Sequence, residues 1–214
     1  ENRDTTPLFN NFNSDYLFLR ADYGFNQKLT MSIAFGYFLN KSQVKDPEQD
    51  TLTISSKGSS DLILFPRYDI YNKTINRVRT EIALGLGLKI PLGSHIDSME
   101  TVPGVWDISP PITQLTTGSQ DLMFYTFFFR DYQKQTLRIF VNSLYIRRGY
   151  NSLGLKFGDY SSIGLFASKR IYRKWGLTGQ LKGEWIKEME LGKVFDDVED
   201  WIVEEWRWKQ QYTG

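Results

Sequence analysis

From Glu81 to Leu92 the chain alternates without a break: Ile82, Leu84, Leu86, Leu88, Ile90 and Leu92 interleave with Glu81, Ala83, Gly85, Gly87, Lys89 and Pro91. Successive side chains of a strand point to opposite faces, so a period of two builds one aliphatic face and one of small or charged groups, whereas a helix would scatter both sets. A second strand is predicted where Leu29, Met31, Ile33, Phe35, Tyr37 and Leu39 interleave with Thr30, Ser32, Ala34, Gly36 and Phe38. Weaker copies set Leu17, Leu19, Ala21, Tyr23 and Phe25 against Arg20, Asp22 and Gly24, and Leu62, Leu64, Tyr68 and Ile70 against Arg67 and Asp69. Further along, Leu137, Ile139 and Val141 alternate with Arg138 and Asn142, and Leu177, Leu181 and Trp185 with Thr178, Gln180, Lys182 and Glu184. Asp121 to Asp131, apolar on both faces, and Ser161 to Ile171 complete eight predicted strands within about residues 15–187. Pro66 removes a ladder donor from its strand, which predicts a bulge or an edge position there.

The joins between these strands alternate in length. Asn26 to Lys28, Asn72 to Asn76, Tyr132 to Gln135 and Arg173-Lys174 are short; Asn40 to Gly58, Gly93 to Gly118 and Arg147 to Gly158 are long and polar or rich in Gly and Pro. Outer-membrane barrels have this asymmetry, with short periplasmic turns on one rim and long extracellular loops on the other. The predicted fold is all-β: a transmembrane antiparallel up-and-down β-barrel of at least eight strands, closed because lipid offers no partner to an open edge.

The second face decides between lipid and water. A soluble barrel of the lipocalin kind turns its apolar face inward and presents charged and long polar groups to solvent. Here the second face is often Gly, Ala, Ser or Thr, which suits a crowded lumen, and opposite charges recur on it two residues apart, as in Arg20 with Asp22, Arg67 with Asp69, and Lys182 with Glu184. The predicted polar lumen therefore carries Arg20, Asp22, Arg67, Asp69, Glu81, Arg138, Lys182 and Glu184, which would set the selectivity of a conducting pore.

Composition narrows the function classes. The 214 residues hold no Pro/Gly/Ser-rich linker, so residues 1–214 read as one domain. With 26 Lys+Arg against 25 Asp+Glu there is no basic surface for nucleic acid. The absence of Cys removes disulfides, thiolate metal sites and Cys nucleophiles, and suits an oxidising compartment. No run of about 20 apolar residues exists, which excludes helical spans. An aromatic content of 15% fits the girdles of a barrel. The start, Glu1-Asn2-Arg3-Asp4, does not resemble a signal peptide, so an exported protein is expected here in mature or trimmed form.

Candidate chemistry is sparse. The single histidine, His95, sits in Gly93-Ser94-His95-Ile96-Asp97 and reads as a solvated loop residue; a Ser-His-Asp centre would have to use it, so catalysis is not expected. Asp196-Asp197 and Glu199-Asp200 lack the spacing of an EF-hand and read as a solvated loop; neither a metal nor a cofactor is expected. Two segments resemble each other, Gly58-Ser59-Ser60-Asp61-Leu62 and Gly118-Ser119-Gln120-Asp121-Leu122, with Gly158-Asp159 as a degenerate third. Each enters a strand from a long loop, where Gly permits the tight exit and Asp caps or pairs at the rim; a ligand or cation site at the mouth is the other reading of Asp61, Asp121 and Asp159.

The order of these elements, a Gly-x-x-Asp-Leu strand, a short turn, Leu84-Gly85-Leu86-Gly87-Leu88-Lys89-Ile90-Pro91-Leu92-Gly93, a long loop and then Gly118-Ser119-Gln120-Asp121, resembles the phenol-degradation meta-pathway transporter family of outer-membrane barrels. In that family a Gly-x-Gly-Asp strand precedes a Gly-Leu-Lys-Leu-Pro-Thr-Gly strand; here Ser60 replaces a glycine and Leu92 the threonine, and the resemblance covers roughly residues 58–185. It implies a channel or uptake protein of the bacterial outer membrane for small solutes, hydrophobic ones included, with lipid as its surroundings and other envelope proteins as candidate partners. The alternative is a non-conducting structural or scaffolding subunit of a larger envelope complex. Trp201, Trp206 and Trp208 near the end fit either an interfacial aromatic belt or a protein-docking surface. Because Thr213-Gly214 looks like the approach to a further strand, the chain is expected to be truncated before its last strands.

Overall fold

The computed structural model describes residues 11–45, 52–102, 104–111, 113–172 and 174–191. They form an all-β protein whose strands, in chain order, are β1 (Asn11–Gly24), β2 (Leu29–Lys45), β3 (Leu52–Ile75), β4 (Val78–Pro91), β5 (Ser98–Val102), β6 (Val105–Ile108), β7 (Asp121–Tyr132), β8 (Leu137–Arg147), β9 (Leu155–Lys156), β10 (Tyr160–Tyr172), β11 (Trp175–Ile186) and β12 (Glu190–Leu191). Eight of them make one sheet in the order β1-β2-β3-β4-β7-β8-β10-β11, an up-and-down arrangement in which every predicted strand takes part. β5 pairs with β6, and β9 with β12, as separate two-stranded ribbons. None of the described residues forms a helix long and apolar enough to cross a membrane.

Two compact units divide the chain. One comprises Glu1–Arg20, Ala34–Leu62 and Ile90–Gly118; the other comprises Ala21–Ile33, Ile63–Lys89 and Ser119–Gly214. In the second unit the pairing of β4, β7, β8, β10 and β11 is antiparallel and regular, with a shift only between Arg170 and Tyr172. Residues directly opposite in an antiparallel ladder share a face, so the register assigns faces strand by strand. Ile82, Phe128, Val141, Leu165 and Leu181 lie in one row on one face; Glu81, Phe129, Phe140, Phe166 and Gln180 lie in one row on the other.

Local chemistry explains the turns. Asn26 Oδ1 accepts from the Lys28 and Leu29 amides at 2.8 and 2.9 Å, an Asx turn that reverses the chain between β1 and β2. Between β3 and β4 the turn is Asn76-Arg77, both with positive φ (50° and 62°), as a two-residue hairpin of matching twist requires. The turn expected over Asn72 to Asn76 is corrected accordingly: β3 continues through Ile75. Likewise β2 and β3 extend into the Asn40 to Gly58 stretch expected as loop, and Gly93 to Gly118 contains the β5–β6 hairpin. Pro66 is not at an edge, since β3 has β2 and β4 on either side.

Burial is distributed oppositely to a water-soluble sandwich. Along β4, Ile82, Leu84 and Leu86 are 36%, 45% and 54% exposed, while Glu81 and Ala83 are 8% and 0% exposed. Gly85, Gly87 and Lys89 are buried with them. β2 repeats the arrangement, with Ser32, Ala34 and Gly36 buried and Ile33 and Leu39 exposed. On β10, Ile163 and Leu165 are exposed around the buried Gly164. Each such half-exposed aliphatic side chain leaves on the order of 1 kcal/mol of transfer free energy unrealised in water.

Candidate functional site

The face of the second unit that carries Glu81 holds the charged groups the strand pattern picked out on β3 and β4. Arg67 Nη2 lies 3.4 Å from both Asp69 Oδ1 and Glu81 Oε1, and Arg79 Nη2 lies 2.9 Å from Glu81 Oε2. These contacts bring Arg67, Asp69 and Glu81 together; Arg79 was not singled out in the sequence, although it shares the parity of Glu81. The Asp69 and Glu81 side chains are 14% and 11% exposed and those of Arg67 and Arg79 37% and 44%. Arg67 Nε and Asp69 Oδ1 are buried without a hydrogen-bond partner, so the cluster is held by charge and only in part by hydrogen bonds. The other predicted lumen residues lie outside this cluster, although the register sets Arg138, Lys182 and Glu184 on the same face as Glu81. Asp22 accepts a short hydrogen bond from Ser32 Oγ, while Arg20 is on β1, an edge of the sheet. Arg138 is an exposed side chain whose Nε lies 3.7 Å from Asp131 Oδ1. Lys182 and Glu184 pair at 2.6 Å on β11, three strands removed from β4 by β7, β8 and β10.

Between these charges the face is aromatic. Phe140 and Phe166 stack with centroids 4.2 Å apart and planes 11° from parallel. Phe127 lies 6.4 Å from both Tyr125 and Phe129, nearly parallel to each, and 6.2 Å from Phe140. Phe65 on β3 lies over Gly85 and Gly87, where an added Cβ would come within 2.6 and 2.5 Å of its ring. Glycine at those two positions thus makes room for a ring rather than for solvent. The signal was visible in part: Asp121 to Asp131 is apolar on both faces, and the register assigns Tyr125, Phe127 and Phe129 to the Glu81 face.

Two of the three Gly-Asp segments sit at strand entries, those of Asp121 and Asp159; Asp61 does not, because β3 begins at Leu52 and carries Gly58 to Asp61 inside the strand. Asp121, 1% exposed, takes Lys89 Nζ at 2.7 Å across the β4–β7 ladder, Ser119 Oγ at 2.8 Å and the Gly149 amide at 3.2 Å. Asp159 accepts from the Arg148 amide at 2.9 Å and the Tyr145 hydroxyl at 3.0 Å, with Lys187 Nζ at 3.9 Å. Two carboxylates at the entries of β7 and β10 thus clamp consecutive amides just past the end of β8. Burial pushes the Asp159 carboxyl up, but the Arg148 amide, the Tyr145 hydroxyl and the Lys156 and Lys187 ammoniums outweigh it and hold it below its ordinary value. Asp61 is half-buried and acts electrostatically on Lys41. Gly118 adopts φ +72°, and the His95 ring lies against it, so His95 is packed and half-buried rather than solvated. Among the described residues no group of three His, Cys, Asp or Glu side chains could hold a metal ion. The amide hydrogen bonds and ion pairs of Asp121 and Asp159 match the capping reading.

No protein-family model and no curated protein matches this chain.

The first unit contributes a tucked segment. Thr113, Gln114, Leu115 and Thr116 are buried although they belong to a connection. Gln114 satisfies itself with the Asp97 amide at 3.1 Å and with the Asp97 and Ser109 carbonyls at 2.9 Å, while its own carbonyl accepts from Lys41 Nζ at 2.5 Å. Beside it, a polar recess of about 730 Å³ is lined by Ser56, Lys57, Asp97, Glu100 and Ser109 among others. Neither feature was foreseen, because no alternation marks such a segment. Trp201, Trp206 and Trp208, and the acidic residues 196–200, lie outside the described residues.

Proposed function

We propose that this chain forms all or part of a transmembrane β-barrel in a bacterial outer membrane and serves there as a channel for small solutes. The observation that carries this reading is the burial of β4: aliphatic side chains outward, charged and small ones inward. A water-soluble barrel has the reverse. The strands are also long enough, since about 9–11 tilted residues cross a bilayer and β4, β7, β10 and β11 have 14, 12, 13 and 12.

Among the described residues β1 and β11 are the sheet's two edges. Lipid would leave their outer N–H and C=O groups unsatisfied at several kcal/mol each, so the reading requires both edges to be paired in the membrane. The resemblance to outer-membrane transporters supports the same assignment and extends it to uptake of small compounds.

The test is single-channel conductance of the detergent-folded chain in a planar bilayer, with salt gradients to read selectivity. Discrete steps are the expected result. A folded, inserted and silent protein would replace the channel with a scaffolding subunit of an envelope complex.

A further inference from the structure

Two facts about the Glu81 face of the second unit bear on what could move along it. First, each of the cations Arg67, Arg79, Lys89, Arg138 and Lys182 has a carboxylate within 4 Å, at 3.4, 2.9, 2.7, 3.7 and 2.6 Å respectively. The field these five pairs present is largely cancelled locally, so the rows they border have little to offer a solute of either charge. Second, the row between the charged positions is built of rings: Phe129, Phe140 and Phe166 are in register across β7, β8 and β10, with Phe127 one row away. All four are half-buried and still present surface. An anion brought against that row would lose hydration against the negative faces of the rings, and the cation beside it, Arg79 over Phe129 at 5.9 Å, is already paired with Glu81.

We infer that this aromatic row is a binding site for an uncharged solute that presents a flat ring face, an arene or a pyranose. The inference rests on the channel reading for its role, since it names the class of solute the same face takes. Ring faces attract ring faces and polarised C–H groups in offset or edge-on contact, and stacking is tolerant of substituents because it reads the face and not the periphery. Gln180 closes the row on β11, in register with Phe166, and puts a carboxamide where a solute hydroxyl would need one. The charged residues then act as paired borders, not as the selectivity elements that their sequence pattern suggests.

The experiment is titration calorimetry on the full chain folded in detergent, with indole, glucose and benzoate as the three probes. Indole or glucose is expected to bind saturably, and benzoate at least about tenfold more weakly than the better of the two. The double substitution Phe140→Leu with Phe166→Leu keeps apolar volume and removes the stack; it is expected to weaken binding about tenfold. If the double variant does not fold, each single variant is read instead, with about a threefold loss expected. Indole alone identifies an arene site, glucose alone a pyranose site, and both together the shared ring-face chemistry. Binding of neither, binding of benzoate as tightly as indole, or a folded double variant within twofold of the wild type overturns the inference. Flotation of the same preparation with lipid vesicles reads the membrane assignment separately, so the two failures are distinguishable.

Discussion

β4 and β11 carry the same alternation of apolar and polar residues, yet their burial is unlike. In β4, flanked by β3 and β7, burial alternates with the sequence; in β11, an edge, nearly every side chain is exposed on both faces. The pattern alone therefore divides a strand into two faces, and neighbours decide which face is covered. β4 shows the aliphatic face left outward once both neighbours are present. Among the described residues β11 has a ladder on one side only, and its exposure follows from that open side.

The largest effect should come from breaking the rim that fixes the β4 side of this comparison. Asp121→Ala leaves Lys89 buried without its carboxylate and strips the Gly149 amide, and should cost about 3–5 kcal/mol in denaturant unfolding. Lys89→Met combined with Asp121→Leu should recover much of that loss, which would assign it to the stranded charge. Next, Leu84→Arg on the outward face should impair insertion into vesicles by about 2–4 kcal/mol, as read by urea titration of the inserted protein. Leu181→Arg, in the row of Ile82, sharpens the comparison: a similar penalty means that β11 meets lipid as β4 does, and its absence means that β11 is covered by protein.

Smaller effects separate the rim from the exposed strand. Tyr145→Phe removes a hydrogen bond to a carboxylate and should cost about 1–3 kcal/mol. Because the Asp159 carboxyl is held below its unfolded value, its contribution is present above that unfolded value and is lost as pH falls through the folded one. Unfolding midpoints measured from neutral to acid pH should thus fall in the wild type, and fall less in Asp159→Asn. Glu184→Gln on β11 breaks an exposed pair with Lys182 and should leave the midpoint unchanged within error.

Legibility in the sequence followed the same division. Six of the eight sheet strands could be read from a period of two, which survives whether or not a strand has both neighbours; β7, apolar on both faces, and β10 carry it less clearly. Asp121 and Asp159 could be read as strand-entry carboxylates from their glycines, but the same motif misplaced Asp61, which lies inside β3 because that strand begins before the motif. Partners in space could not. Lys89 meets Asp121, and Phe140 meets Phe166, only through cross-strand register, and the sequence offers no period for that. Arg138 and Lys182 looked equivalent to Arg67 by parity, but they sit in exposed pairs while Arg67 sits beside the buried Glu81.

The central claim is that the aliphatic face of β4 meets lipid. The chain has no cysteine, so single cysteines at Ile82, Ala83, Leu84, Leu86 and Lys89 can each carry a nitroxide label in vesicle-reconstituted protein. Electron paramagnetic resonance then compares collision with oxygen, which concentrates in lipid, against collision with a water-soluble nickel chelate. The account predicts that labels at 82, 84 and 86 favour oxygen and that those at 83 and 89 do not; the opposite alternation, or chelate access to Leu84 and Leu86, would contradict it.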